Sequence, residues 1–156
     1  MLAIPMDEAR DILISLKPQH ADNLFHGKKT VELRRRRLKI AEGTRVWIYA
    51  TAPTAAICGY ANLVRIASGS PTQIWRSLGN QTAISREEFE EYFHARDVAY
   101  GLVLDDVMAM QPTLSLEGIR KAVNDFHPPQ FYCHLNGAMK SMRLSSRKYE
   151  AVRRQR

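Results

Sequence analysis

The chain has 156 residues, a net charge of +7 and two cysteines, and its length suits a single domain with its own hydrophobic core. Its apolar runs are too short for a transmembrane helix, and its N-terminus lacks the basic-then-apolar pattern of a signal peptide, so we expect a cytoplasmic protein without a membrane partner. Cys58 and Cys133 lack the spacing of a zinc site, and we expect two reduced thiols, no metal and no cofactor.

Four strands and one helix are predicted in the first part of the chain. Pro18 opens the helix and Gly27 ends it, with Leu24 on its buried face. The strands alternate in polarity or are rich in β-branched and aromatic residues, and they span residues 11–16, 29–36, 45–51 and 56–66. Gly59, inside the fourth strand, predicts a bulge or a tight bend.

Helices dominate the middle of the chain, and two further strands follow. Ser70 and Ser85 are typical N-caps, and each precedes an apolar stripe that predicts core packing. Residues 98–107 predict a strand, Ser115 caps a short helix over residues 115–123, and residues 130–135 predict a last strand.

The order of these elements favours an α+β fold. The strands are not separated by regular crossover helices, which argues against a doubly wound parallel sheet. A small mixed or antiparallel β-barrel, with short helices flanking a cleft, fits better. We assign residues 1–139 to this domain and residues 140–156 to a basic C-terminal tail for which the sequence leaves folding open.

Positive charge is concentrated in two clusters. Seven basic residues and one acid, Glu150, lie in residues 140–156, and seven more surround Glu32 in residues 28–39. Such clusters attract polyanions through counterion release. A solvated surface is the alternative for the tail. For the inner cluster we favour a functional role, because like charges along one strand repel each other.

The inner cluster contains a recognisable motif. Residues 27–34 (GKKTVELR) resemble the GxKxxExR signature of the ASCH family, whose domains are related to the PUA domain. Residues 15–18, 49–53 and 129–131 resemble strands of the same family, so that the similarity spans residues 12–135. The resemblance implies a PUA-like barrel with a cleft beside its first helix, which binds RNA or a nucleoside-like ligand. Some members are regulators of transcription or translation, and others hydrolyse an acetylated cytidine or cut RNA.

The residue types of the motif suit a nucleotide. Lysine and arginine can hold a phosphate, Glu32 can accept from an exocyclic amine, and Tyr49 or Tyr132 can stack on a base. In a regular strand Glu32 and Arg34 share a face that Lys29 reaches only if the turn at Gly27 twists the chain. The expected ligand-binding residues are Lys17, Lys29, Thr30, Glu32, Arg34, Arg36, Tyr49, Thr51 and Gln130. His20 and His26 flank the first helix and are weaker candidates.

Three functions remain open, beside an ion pair of Glu32 and Arg34 with a purely structural role. The leading hypothesis is a binding module for RNA or a modified nucleotide. The second is a hydrolase of N4-acetylcytidine-type nucleosides or a ribonuclease, with Lys29 and Glu32 as catalytic residues. The amidohydrolase pattern implied by the resemblance places a threonine three residues after the lysine, where this chain has Glu32, and Thr30 is adjacent instead. The third is a protein whose basic tail binds DNA or another protein.

Overall fold

A computed structural model describes residues 11–135 and 137–155 of the chain. Within them, seven strands form one mixed sheet with the order β2-β5-β4-β3-β1-β6, and β7 pairs with β5. The strands are β1 Ile12–Leu16, β2 Val31–Arg34, β3 Arg45–Ala50, β4 Ala56–Gly69, β5 Ala99–Ser115, β6 Tyr132–His134 and β7 Lys148–Ala151. Only β1 and β3 are parallel, and all other pairs are antiparallel.

Five short α-helices connect the strands in the described residues. They are α1 Pro18–Phe25, α2 Pro71–Leu78, α3 Arg86–Tyr92, α4 Leu116–Ala122 and α5 Ala138–Ser141. Ser70, Ser85 and Ser115 each accept a backbone N–H three residues later, which confirms the three predicted N-caps. None of these helices is both long and apolar enough to cross a membrane.

The alternation of side chains along the strands divides the core into three clusters. Ile14 and Ile48 face the interior of the curled sheet, where α1 packs, while Trp47 and Tyr49 belong to a second cluster that includes Ile119 of α4. A third cluster joins Val31 and Leu33 of β2 to α2 and α3. Because successive side chains on a strand point to opposite faces, Glu32 and Arg34 lie on the other face of β2 from Val31 and Leu33.

The sheet curls until its two ends approach each other. Register shifts interrupt the β3–β4 and β4–β5 ladders, and Gly59, at φ +151°, lies at one of them, as predicted. A Cβ there would lie 2.0 Å from the Met108 carbonyl oxygen, so the close approach of β5 requires glycine. At the open seam, Arg34 of β2 donates to the carbonyls of Ser15 (3.1 Å) in β1 and Phe131 (3.4 Å) before β6. The predicted α+β barrel-like architecture is confirmed.

One strand extends well beyond its sequence prediction. Strand β5 continues to Ser115, eight residues beyond the predicted end. Pro112 lies between Gln111, the last residue of β5 that pairs with β7, and Leu114, where pairing with β4 resumes after Ala109, so its missing N–H interrupts neither ladder.

The C-terminal segment, whose folding the sequence left open, contains regular structure in its described residues. Residues 148–151 form β7, and Leu144 is fully buried. Tyr149 packs edge-on against the rings of Trp47 and Tyr60 and donates its hydroxyl to the Leu144 carbonyl at 2.6 Å. Burial of this aromatic side chain offsets the mutual repulsion of the surrounding charges, so residues 148–151 pack against the sheet instead of lying free of it.

Candidate ligand-binding cleft

An ion triad lies at the start of β2. Glu32 accepts from Lys29 through Oε1 at 3.1 Å and from Arg34 through Oε2 at 3.0 Å. All three residues are buried, with 2%, 7% and 8% of Lys29, Glu32 and Arg34 exposed. Lys29 also donates to the Thr82 carbonyl at 3.2 Å, which leaves the third N–H of its ammonium group without a partner in the described residues.

The turn at Gly27 brings Lys29 to the same side as Glu32. Gly27 has φ +76°, and the backbone N–H groups of Lys28 and Lys29 both donate to the Asn23 carbonyl. The chain therefore leaves α1 in a tight turn and becomes regular only at Val31. Because Lys29 lies in this turn, strand alternation does not apply to it.

The triad forms the wall of a cavity of about 430 Å³, which we call the cleft. It lies between the end of β1, α1, β2 and α3. Besides Lys29 and Arg34, two exposed cations line it, Lys17 before α1 and Arg35 after β2. The Arg35 guanidinium lies 4.3 Å from the centre of the Tyr92 ring, and its Nε donates to the Tyr92 carbonyl at 2.7 Å.

Carboxylates balance much of this positive charge. Glu88 and Glu91 of α3 line the cleft opposite the basic residues, and both are exposed. With Glu32 they give the cleft three acids against four cations. It can therefore bind a ligand that has an anionic group at one point and hydrogen-bond donors at another, such as a nucleotide.

The triad keeps Glu32 ionised. Burial raises the pKa of this carboxyl, but the charges of Lys29 and Arg34, together with the hydrogen bond from Lys29, outweigh burial and lower the pKa below its ordinary value. Both oxygens already accept a charged hydrogen bond, which makes Glu32 a weak proton acceptor for a substrate.

His20 projects from α1 into the same cleft. Burial lowers the pKa of its imidazole, and the positive charge of Lys29 lowers it further, while Glu32 raises it less. The side chain is therefore neutral at neutral pH.

The cleft contains four of the nine expected ligand-binding residues: Lys17, Lys29, Glu32 and Arg34. The other five lie outside its lining. Thr30 donates its hydroxyl to Gln81, and Arg36 is exposed with its guanidinium 4.3 Å from the Phe131 ring centre. Tyr49 is buried in the second core cluster, with 3% of its surface exposed. The backbone N–H of Thr51 donates to the Leu16 carbonyl. Gln130 is exposed beside the barrel seam.

Sequence reasoning did not find the contribution of α3. The acids Glu88 and Glu91 and the ring of Tyr92 reach the cleft because Phe89 and Phe93 pack α3 against the outer face of β2. The amphipathic pattern predicts that α3 buries its apolar stripe, but it does not indicate which strand receives the stripe. The backbone carbonyl of Ser15, which accepts from Arg34, carries no sequence signal at all.

Comparison with known proteins gives consistent similarities. Residues 12–134 match the family described as Domain of unknown function (DUF365). An ASCH domain-containing ribonuclease from Zymomonas mobilis is 33% identical over 123 residues, which cover 79% of this chain and 82% of the relative. The crystal structure of ASCH from Zymomonas mobilis superposes with a TM-score of 0.84 at 30% identity, over 91% of this chain and 98% of that one. The N-terminal domain of Staphylothermus marinus McrB shares the fold, with a TM-score of 0.57 at 10% identity over 94% and 98% of the two chains.

Proposed function

The chain belongs to the ASCH domain family, whose fold is PUA-like, and from this premise we propose that it binds RNA or a modified nucleotide in the cleft. The observation that carries the proposal is that the exposed cations Lys17 and Arg35 line a cavity whose wall is a buried ion triad. The exposed cations are free to meet a phosphate, because neither has a carboxylate partner among the described residues.

The triad itself supports the cleft more than it binds the anion. The Nη groups of Arg34 donate to Glu32 and to two backbone carbonyls, and one N–H of the Lys29 ammonium group remains for a ligand. A ligand phosphate therefore meets Lys17 and Arg35 first, with Lys29 at the base. Tyr92, whose ring already stacks with Arg35, offers an aromatic edge to a base.

RNA cleavage is the second candidate function. The 33% identical relative is an ASCH domain-containing ribonuclease, which favours this function. Lys29 and Glu32 are the catalytic residues that the sequence predicts. Deacetylation of N4-acetylcytidine receives no comparable support, because the Thr30 hydroxyl bonds to Gln81 outside the cleft and is not presented beside the Lys29 ammonium group.

A cytoplasmic location and a regulatory role are parts of the same proposal. Both cysteines are free thiols, as is usual in the reducing cytosol. Binding of DNA or a protein through the basic tail remains a third proposal. In this proposal the exposed charged side chains of the tail contact the partner while the backbone of β7 stays paired with β5.

The binding proposal is tested with a short fluorescent single-stranded RNA and fluorescence anisotropy. We expect Lys17→Ala and Arg35→Ala each to weaken binding about tenfold, since a charge-assisted hydrogen bond contributes about 1.5–3 kcal/mol. Arg65→Ala is the matched control, because Arg65 is exposed on β4 and does not line the cleft. Equal losses in all three variants would contradict the assignment of the cleft.

A further inference from the structure

The imidazole of His20 has an unusual environment. It lines the cleft from α1, and neither ring nitrogen makes a hydrogen bond to the part of the chain that the structure describes. Nδ1 is buried from solvent, whereas Nε2 is not one of the buried, unpaired atoms of the described residues. Most buried polar atoms in folded proteins are paired, so an imidazole that is left unpaired inside a binding cavity indicates a role for a ligand.

Four charged groups from three parts of the fold face this ring. Lys17 precedes α1, Lys29 and Glu32 belong to the turn and to β2, and Glu88 comes from α3. Together with burial, the two lysines favour the neutral imidazole over the charged one, although the two acids oppose them. A neutral imidazole near a binding site for phosphate can accept a proton, which the doubly paired Glu32 does poorly.

We propose that His20 is the general base for RNA cleavage in the cleft, an inference that rests on the proposed function. An imidazole nitrogen takes the proton of a ribose 2′-hydroxyl, and the 2′-oxygen forms a bond to the adjacent phosphorus. The bond from phosphorus to the 5′-oxygen breaks, that oxygen takes a proton from water, and the protonated imidazole gives its proton to the hydroxide that remains. The products are a 2′,3′-cyclic phosphate and a 5′-hydroxyl, while Lys17 and Lys29 offset the charge that develops on the phosphate.

The test separates binding from cleavage. Cleavage of a short unstructured RNA is followed by gel, and binding is measured with the same sequence carrying 2′-O-methyl groups, which has no proton to give. We expect His20→Ala to lower kcat by about 10²–10⁴-fold, as is typical for the loss of a general base. The affinity for the methylated RNA should stay unchanged. His94→Ala is the matched control, since His94 is exposed at the end of α3 and lies outside the cleft lining.

Two further readouts distinguish a chemical from a structural role. Added imidazole restores cleavage by the His20→Ala protein but not by a Lys29→Ala protein. The kcat of the natural chain rises with pH around a midpoint below the ordinary pKa of histidine, because only the neutral ring accepts a proton.

Each contrary result has a distinct meaning. Undiminished cleavage by His20→Ala, or a product with a 5′-phosphate, overturns the role of His20. A natural chain that binds the methylated RNA but cleaves none of the unmodified RNA also overturns it and leaves the binding proposal standing. Failure to bind either RNA removes the proposed function itself.

Discussion

Glu32 is the residue on which the charge balance of the cleft wall depends. Its carboxylate neutralises two buried cations that would otherwise lie side by side without compensation. A buried ion pair contributes little net stability compared with apolar residues, but removal of one partner leaves an uncompensated buried charge. The wall therefore depends on the single acid, Glu32, which compensates both cations.

We expect Glu32→Gln to destabilise the fold by about 3–5 kcal/mol, because Lys29 and Arg34 lose their common counter-ion. Urea unfolding followed by tryptophan fluorescence measures the effect, with Glu87→Gln on exposed α3 as the control. Replacing all three residues by Lys29→Met, Glu32→Leu and Arg34→Met should cost less than the single change. A greater loss in the triple variant would show that the charges stabilise the fold by themselves.

The triad also predicts how stability depends on pH. The pKa of Glu32 is lower in the folded chain than in the unfolded chain, so the unfolded chain binds the proton more readily. The stabilisation is complete above the ordinary pKa of glutamate and is lost as the pH falls through the lowered value. Urea midpoints measured across acid pH should fall more steeply for the natural chain than for Glu32→Gln. Parallel curves would contradict a lowered pKa.

At the scale of elements, the C-terminal segment fixes the turn that positions Lys29. After β7, the Val152 N–H donates to the Val107 carbonyl, and the N–H of Gln155 donates to the Gly27 carbonyl at 2.9 Å. The carbonyl oxygen of Arg153 lies 2.1 Å from where a Cβ on Gly27 would stand. The glycine of the family signature is therefore required here by contact with the other end of the chain, in addition to its positive φ.

A double-mutant cycle tests this contact. We expect Gly27→Ala to destabilise the full chain by several kcal/mol, because the new methyl group collides with the Arg153 backbone and the left-handed conformation alone costs about 1 kcal/mol. Removal of residues 153–156 should relieve the collision, so the same substitution should cost clearly less in the shortened chain. Additive losses would mean that the strain at φ +76° explains the whole effect.

The sequence predicted the elements better than their partners. The caps at Ser70, Ser85 and Ser115 are local signals, and all three helices begin where these signals place them. Strand β7 was missed, because its short run of alternating residues lies among basic charges and its burial depends on Tyr149 meeting Trp47, about a hundred residues earlier in the chain. The GKKTVELR motif located the triad, whereas Glu88 reached the cleft through helix packing that no local pattern specifies.

For the whole molecule, the fold unites the two basic clusters that the sequence keeps apart. The C-terminal segment lies against Gly27, so that Arg153 and Arg154 stand beside Lys28 at the entrance to the signature motif. All three side chains are exposed, and Arg154 lines a small depression together with Gly27, Lys29 and Thr30 of the turn that leads into the cleft. These cations form a basic surface beside the turn, bordered at Arg154 by Asp105 and Asp106, and this surface can collect the backbone of an RNA whose reactive or recognised nucleotide enters the cleft.

This surface predicts a specific salt dependence. Changing Lys28, Arg153 and Arg154 to glutamine should leave RNA binding at high salt nearly intact and weaken it at low salt, since each lost phosphate contact lowers the slope of log affinity against log salt by about 0.7 for a single strand. The matched control changes three exposed cations on α2, α3 and α4 by the same net charge: Arg76, Arg86 and Lys121. Titrations at several salt concentrations compare the slopes of the two variants. If both variants lower the slope equally, the slope depends only on net charge. The cations of the C-terminal segment then do not contact the RNA phosphates specifically.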